Sequence, residues 1–282
     1  QVFSLGQLNK ITEEGVVFQS RLDGSKHKLS SEISMDIQRV LGSDIVMAFD
    51  ECTSYPATIQ QAKTSMQLTH RWEQRSLDYF RSTDPRYGHE QHLFGIVQGS
   101  VYPELRKESA KVLVDMGFDG YAIGGLSVGE PKDDMYSITD VVTDILPQDQ
   151  PRYLMGVGKP EDLVEAVSLG VDMFDCVMPT RNGRNGQIFT SEGVLNIRNE
   201  KYKDDFSPVD EKASVPFGTD FTKAYLRHLI KINEILGLRM ASLINIAFYQ
   251  TLMQEMRAQI QADNFDAWAK AWLKKASEWE RM

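Results

Sequence analysis

The sequence predicts an α/β fold of (β/α)8 TIM-barrel type, lacking its N-terminal strands in this chain, with a C-terminal helical subdomain. Three observations carry that prediction. Short apolar runs alternate with helical patterns about five times, the rhythm of a parallel sheet. Each run ends in a polar or glycine cluster: Asp50-Glu51-Cys52, Gln98-Gly99, Gly124-Gly125, Met155-Gly156 and Asp175-Cys176. Convergence of such residues at C-terminal strand ends is the layout of a barrel's active face. The chain has 282 residues and spends its last third on helices. A full barrel takes about 250 residues, so the first strands are expected to precede Gln1. The expected boundaries are 1–200 for the barrel portion and 201–282 for the C-terminal subdomain.

Taken in order, residues 16–29 read as a hairpin turning at Asp23-Gly24. Residues 34–41 read as a short helix capped by Ser34. Residues 45–49 form a buried strand. A polar helix over 58–81 follows, with Leu68, Trp72 and Tyr79 on one face. Residues 93–97 give the next strand, and Pro103 opens a helix to 116, because proline is tolerated in a first turn. Residues 120–125 read as a strand and glycine turn, and Pro131 opens a helix to 146. Residues 153–156 form a strand, and Lys159-Pro160 opens a helix to 169. After the Asp175 strand, residues 187–190 and 194–197 pair across Ser191-Glu192-Gly193. Residues 201–218 are irregular and charged. Helices are expected over 220–236, 239–262 and 265–280.

Composition is ordinary for a globular protein, 41% hydrophobic and 25% charged. No apolar run reads as a membrane span, and the opening residues lack the features of a signal peptide. The lack of an initiator Met favours a chain that begins inside a longer protein over the competing explanation, a genuinely short, altered relative. Cys52 and Cys176, the two cysteines, make no disulfide framework and fit a reducing cytoplasm. A net charge of −9 argues against broad non-specific nucleic-acid binding and leaves room for a local basic patch.

The central stretch is Met173-Phe174-Asp175-Cys176-Val177-Met178-Pro179-Thr180-Arg181-Asn182-Gly183-Arg184-Asn185-Gly186. An apolar run delivers Asp175 to a strand end, and Pro179 is expected to stop the strand. Arg181 and Arg184 follow in what reads as a flexible loop with Gly183 and Gly186. Arginine forks suit phosphate, and glycines let a backbone approach a ligand. A solvated acid beside a surface turn fits this stretch alone equally well.

Together with Gln1-Val2-Phe3-Ser4-Leu5, SDIVMAFDECTSYPA from Ser43, FGIVQGSV from Phe94, GFDGYAIGGLSVGE from Gly117 and PRYLMGVGKPEDL from Pro151, this stretch closely resembles the tRNA-guanine transglycosylase family. The resemblance implies that Asp175 is the nucleophile attacking C1′ of the wobble guanosine of a GUN anticodon. It implies that Asp50 and Gln98 read the purine edge, with backbone groups of Gly125 and Leu126, and that Met155 packs on the base. A carboxylate suits guanine, whose N1–H and exocyclic amine are both donors. Lys159, Arg181 and Arg184 would hold the tRNA backbone, with the base drawn out of its stack. Cys52 and Val128 resemble the bacterial branch, which inserts preQ1.

The sequence departs from the family at two places. The family's zinc ligands, three cysteines and a distant histidine, align with Ala213, Val215, Gly218 and Ile244, none of which offers a lone pair. No metal and no other cofactor is expected, and packing must hold the segment. Gln1 aligns with the end of the family's Asp-Ser-Gly-Gly-Tyr/Phe-Gln motif, so the general acid/base is expected just before this chain.

Phe221, Tyr225 and His228 share a helical face. The resemblance places them in the family's homodimer contact, while an ordinary core stripe explains them equally. His27, His70, His89 and His92 read as surface or locally bonded. Cys176 points opposite to Asp175 along a strand and reads as core. Trp268, Trp272 and Trp279 read as packing. The competing functions are a non-catalytic or degenerate tRNA-binding relative, and an unrelated barrel glycoside hydrolase, which would leave the arginines unexplained.

Overall fold

A computed structural model describes residues 9–279. The residues divide into two compact units, one running up to 156 and including 169–174, the other comprising 157–168 and 175 onward. The opening Gln1-Val2-Phe3-Ser4-Leu5 lies outside the described residues.

The first unit begins with an antiparallel sheet of β1 (Asn9–Thr12), β2 (Gly15–Gln19) and β3 (Lys26–Leu29). The hairpin pairs last at Gln19 and Lys26, so its loop has six residues rather than a two-residue Asp23-Gly24 turn. Asp23 shapes that loop by accepting from the backbone N–H and hydroxyl of Ser25 at 3.1 and 2.7 Å. Helix α1 (Ser31–Leu41) starts earlier than expected. Ser30, not Ser34, is its N-cap, accepting from the Ile33 N–H.

Five strands then form one parallel sheet in sequential order: β4 (Ile45–Met47), β5 (His92–Val97), β6 (Gly120–Ile123), β7 (Arg152–Leu154) and β8 (Met173–Phe174). They are connected through α2 (Ile59–Arg81), α3 (Pro103–Met116), α4 (Lys132–Thr143) and α5 (Pro160–Ser168). This is the half-barrel arrangement of a TIM-like fold. A capping box between Thr58 and Gln61 starts α2. Trp72 of α2 is buried and stacks on Phe49 with ring centroids 4.8 Å apart. Beyond the end of β4, hydroxyls of α2 replace a neighbouring strand. Ser76 accepts from the Phe49 N–H at 3.1 Å and Thr69 from the Glu51 N–H at 2.9 Å. Asp50 is therefore held on both sides.

The second unit contains α6 (Met178–Arg184), the antiparallel pair β9 (Gln187–Thr190) and β10 (Gly193–Asn196), α7 (Pro216–Thr219), α8 (Lys223–Lys231), α9 (Ile235–Gln261) and α10 (Phe265–Trp279). Ile188, Ile197, Leu226, Ile230, Met240 and Ile244 are among its fully packed core. The arginine stretch is a helix, not a flexible loop. β8 has ended at Phe174, and Pro179 sits in the first turn of α6 instead of stopping a strand. The helix expected over 220–236 is broken. Thr222 caps α8 by accepting from the Tyr225 N–H, which leaves Phe221 between α7 and α8. The break before α9 falls at Asn233, in the left-handed region at φ 57°. Gly237 lies inside α9 because any Cβ there would meet Leu229 at 2.7 Å. By length and composition the 27-residue α9 is apolar enough to cross a membrane, contrary to the sequence reading. Its buried face, with Met240, Ala241, Ile244 and Tyr249, belongs to the packed interior.

Candidate functional site

In the first unit the ends of β4 and β5 bring together the two residues expected to read a base. Gln98 is buried, and its backbone N–H donates to the Ser109 hydroxyl at 3.2 Å. Its side-chain Nε2 donates to Asp50 Oδ2 at 2.8 Å. Gly124 and Gly125 close over that amide. A Cβ at Gly124 would lie 2.7 Å from Gln98 Nε2, and one at Gly125 2.6 Å from Oε1. Gly125 also adopts φ +64°, which glycine tolerates best. Leu126 follows, buried. Asp50, Cys52 and Met155 line one cavity of about 260 Å³ with Phe49 and Ile96. Burial lifts the Asp50 carboxyl to about 6, while the Gln98 hydrogen bond pulls it down. Burial, with the Asp50 charge adding to it, pushes the Cys52 thiol up to about 11, so it stays neutral.

Three charged residues complete this site and were not legible as functional. Arg106 is fully buried and donates to the carbonyls of Val97 and Ser100, each at 2.7 Å, bracketing Gln98 and Gly99. Its Nη2 has no hydrogen-bond partner. Burial pulls the guanidinium down to about 10, so it remains a cation. Glu73 is fully buried on α2 and accepts the Ile96 N–H through one oxygen, the other having no partner. Burial raises its carboxyl well above the ordinary range. Glu130 accepts the N–H groups of Ser127 and Val128, fixing the turn after Leu126. Arg106 and Glu73 lie on helices where a charge ordinarily marks the solvent face, so periodicity hides them.

The second unit holds the other predicted residues. Asp175 is exposed directly beyond β8, Lys159 is exposed after Gly158, and Arg181 and Arg184 are exposed on α6. Their i, i+3 spacing puts the two arginines on one side of the helix. Cys176 is half-buried against Gly158, where a Cβ would fall 2.4 Å from Sγ. Phe221 stacks on Tyr225 at 5.7 Å although it lies outside the helix, while Tyr225 and His228 are exposed. His27 meets the Ser25 hydroxyl at 2.7 Å, a local bond, whereas His70 meets the Ser109 hydroxyl and His89 the Gly42 carbonyl, each at 3.0 Å, across 39 and 47 positions of the chain. Trp272 packs edge-on against Trp279 at 5.4 Å.

Ala213, Val215, Gly218 and Ile244, the positions expected to replace zinc ligands, are apolar and interlocked. A Cβ on Gly218 would fall 2.2 Å from the Ala213 Cβ, and Val215 and Ile244 join one hydrophobic cluster with Phe217 and Phe221. Asp210 ties the segment by accepting from the Ser191 N–H and hydroxyl and the Lys212 N–H at 2.8, 2.6 and 3.0 Å. Such side chains cannot ligate zinc. Among the described residues no group of three or more His, Cys, Asp or Glu could hold a metal.

The family model described as queuine tRNA-ribosyltransferase matches residues 1–278. A queuine tRNA-ribosyltransferase from Actinobacillus succinogenes is 58% identical over 266 residues, 94% of this chain and 69% of that protein. One from Actinobacillus pleuropneumoniae is 58% identical over 267 residues, with the same coverage of both chains. Another, from a Shewanella species, is 56% identical over 270 residues, 96% of this chain and 71% of the relative.

Proposed function

This chain belongs to the queuine tRNA-ribosyltransferase family, and from that premise we propose that it exchanges the wobble guanine of GUN-anticodon tRNAs for preQ1. The observation that carries the base-reading half is the 2.8 Å bond from Gln98 to Asp50 under the two glycines. It leaves a carboxylate oriented to accept from N1–H and the exocyclic amine of guanine, a pairing that preQ1 shares. Gly125 and Leu126 add backbone groups, and Met155 and Cys52 line the same cavity. Cys52 and Val128 support preQ1 rather than queuine.

Asp175 attacks C1′ with a carboxylate oxygen. The C1′–N9 bond breaks, its electron pair leaves with guanine, and guanine takes up a proton. PreQ1 then gives up its N9 proton and attacks C1′, and the Asp175–ribose bond breaks. The two displacements at a sugar carbon follow the logic of retaining glycosidases. Exposed Lys159, Arg181 and Arg184 hold the RNA backbone, since phosphate neutralisation supplies affinity. Two copies associate through Phe221, Tyr225 and His228. No metal is used, and the segment around Ala213, Val215, Gly218 and Ile244 is held by packing.

Covalent trapping tests the reading. The protein, an anticodon stem-loop and an inert guanine analogue should give a shifted band on a denaturing gel that is absent with Asp175→Asn. A folded protein that binds the stem-loop but gives no band would instead be a non-catalytic tRNA-binding relative.

A further inference from the structure

One face of α9 reaches three separate segments. Ala241, Asn245 and Tyr249 are spaced i, i+4, i+8, so they share that face. Gly183 of α6 packs on the backbone of Ala241 and Ser242, where a Cβ would lie 3.0 Å from both. Asn245 is fully buried. Its Nδ2 donates to the Pro179 and Gln187 carbonyls, each at 2.9 Å, and its Oδ1 accepts from the Phe189 N–H at 2.9 Å. One amide thus joins the start of α6 to the strand that follows it. The Tyr249 hydroxyl donates to the Gly158 carbonyl. Burial pushes that hydroxyl's pKa up, so it stays a donor at any working pH. Gly158 precedes Lys159 and lies against Cys176, the neighbour of Asp175.

We infer that Asn245 and Tyr249 are positioning residues. They hold the Arg181–Arg184 helix, the Lys159 turn and the Asp175–Cys176 segment in one frame, so that nucleophile and cations keep a fixed spacing along an RNA backbone. The inference rests on the transglycosylase reading. Simple core filling does not account for the pattern. Asn245 uses its acceptor and both donors, and each bond fixes a backbone group of α6 or of the strand that follows it rather than an apolar neighbour.

The test compares wild type with Asn245→Ala, Tyr249→Phe and the exposed control Gln250→Ala. Tyr249→Phe removes one oxygen and keeps the ring against Phe189, so it carries the test if Asn245→Ala fails to fold. Three quantities are read: KM for an anticodon stem-loop, KM for free guanine, and the alkylation rate of Cys176 by iodoacetamide, followed by peptide mass spectrometry. In either variant, misplacement should raise the stem-loop KM roughly tenfold or more. Guanine KM should hold within about twofold, because base readers and RNA holders are separate groups. Cys176 should alkylate faster in Tyr249→Phe. Equal rises in both KM values, or unchanged stem-loop KM with unchanged alkylation, would overturn the inference. A wild type without exchange would sink the functional reading alone, since the alkylation arm still reports whether Tyr249 holds the Gly158–Cys176 contact.

Discussion

Gln98 donates its side-chain amide to Asp50 at 2.8 Å, joining the ends of two adjacent parallel strands. One oxygen of the carboxylate is therefore engaged within the protein, and the pair presents a fixed edge to a ligand. Asp50→Asn replaces an acceptor with a donor facing guanine N1–H. Base affinity should fall on the order of a hundredfold, the scale of hydrogen bonds to a charged group, as read by guanine titration calorimetry.

The Asp50 carboxyl is raised to about 6 by burial, which fixes the sign of two pH effects. Guanine affinity should rise with pH through about 6 and level off above it, because the ionised form accepts both donors. Stability should run the other way. The folded protein holds the proton to higher pH than the unfolded chain does, so this group's contribution is full below the ordinary carboxylate range and is lost as pH rises through about 6. Thermal melting should accordingly find Asp50→Asn more stable than wild type at pH 7.5 and little different at pH 4.5.

Glu73→Gln keeps an acceptor for the Ile96 N–H and removes the cost of burying a charge, the cost that raises the native carboxyl, so it should melt no lower than wild type at pH 7.5. Glu73→Ala leaves that N–H buried and opens a void. It should cost about 2–4 kcal/mol in denaturant unfolding.

Gly125→Ala should weaken guanine binding more than it weakens the fold. The added methyl meets Gln98 Oε1 at 2.6 Å and must turn the amide away from Asp50. A rise of roughly tenfold or more in guanine KM is expected for losing one such bond, with stem-loop KM unchanged.

The proposal that packing stands in place of zinc predicts a second unit indifferent to chelation. EDTA should leave the melting temperature unchanged, and metal analysis should find no stoichiometric zinc. Ile244→Ala, which removes a side chain buried in the cluster, should cost about 2–4 kcal/mol.

The parallel strands and the residues at their ends were legible because strand-end chemistry shows in local sequence. Asp50, Gln98 and Gly125 each close an apolar run, and the structure joins them in one unit. Asn245, Arg106 and Glu73 were not legible, because their work is long-range. Asn245 reaches Pro179, 66 positions away, and no local pattern distinguishes it from any helical asparagine. The misread segments share another cause. One glycine and one proline in 178–184 speak for a loop by propensity, yet Gly183 is there for close approach to α9, and tertiary packing decides.

Asn245 and Tyr249 share no residue and no element with the Asp50–Gln98 pair. Under the proposed assignment, substitutions that retune which base is preferred can thus accumulate around β4 to β6 while the grip on the nucleic-acid chain is inherited intact. A lineage built this way can explore new modified bases without relearning which RNA to hold.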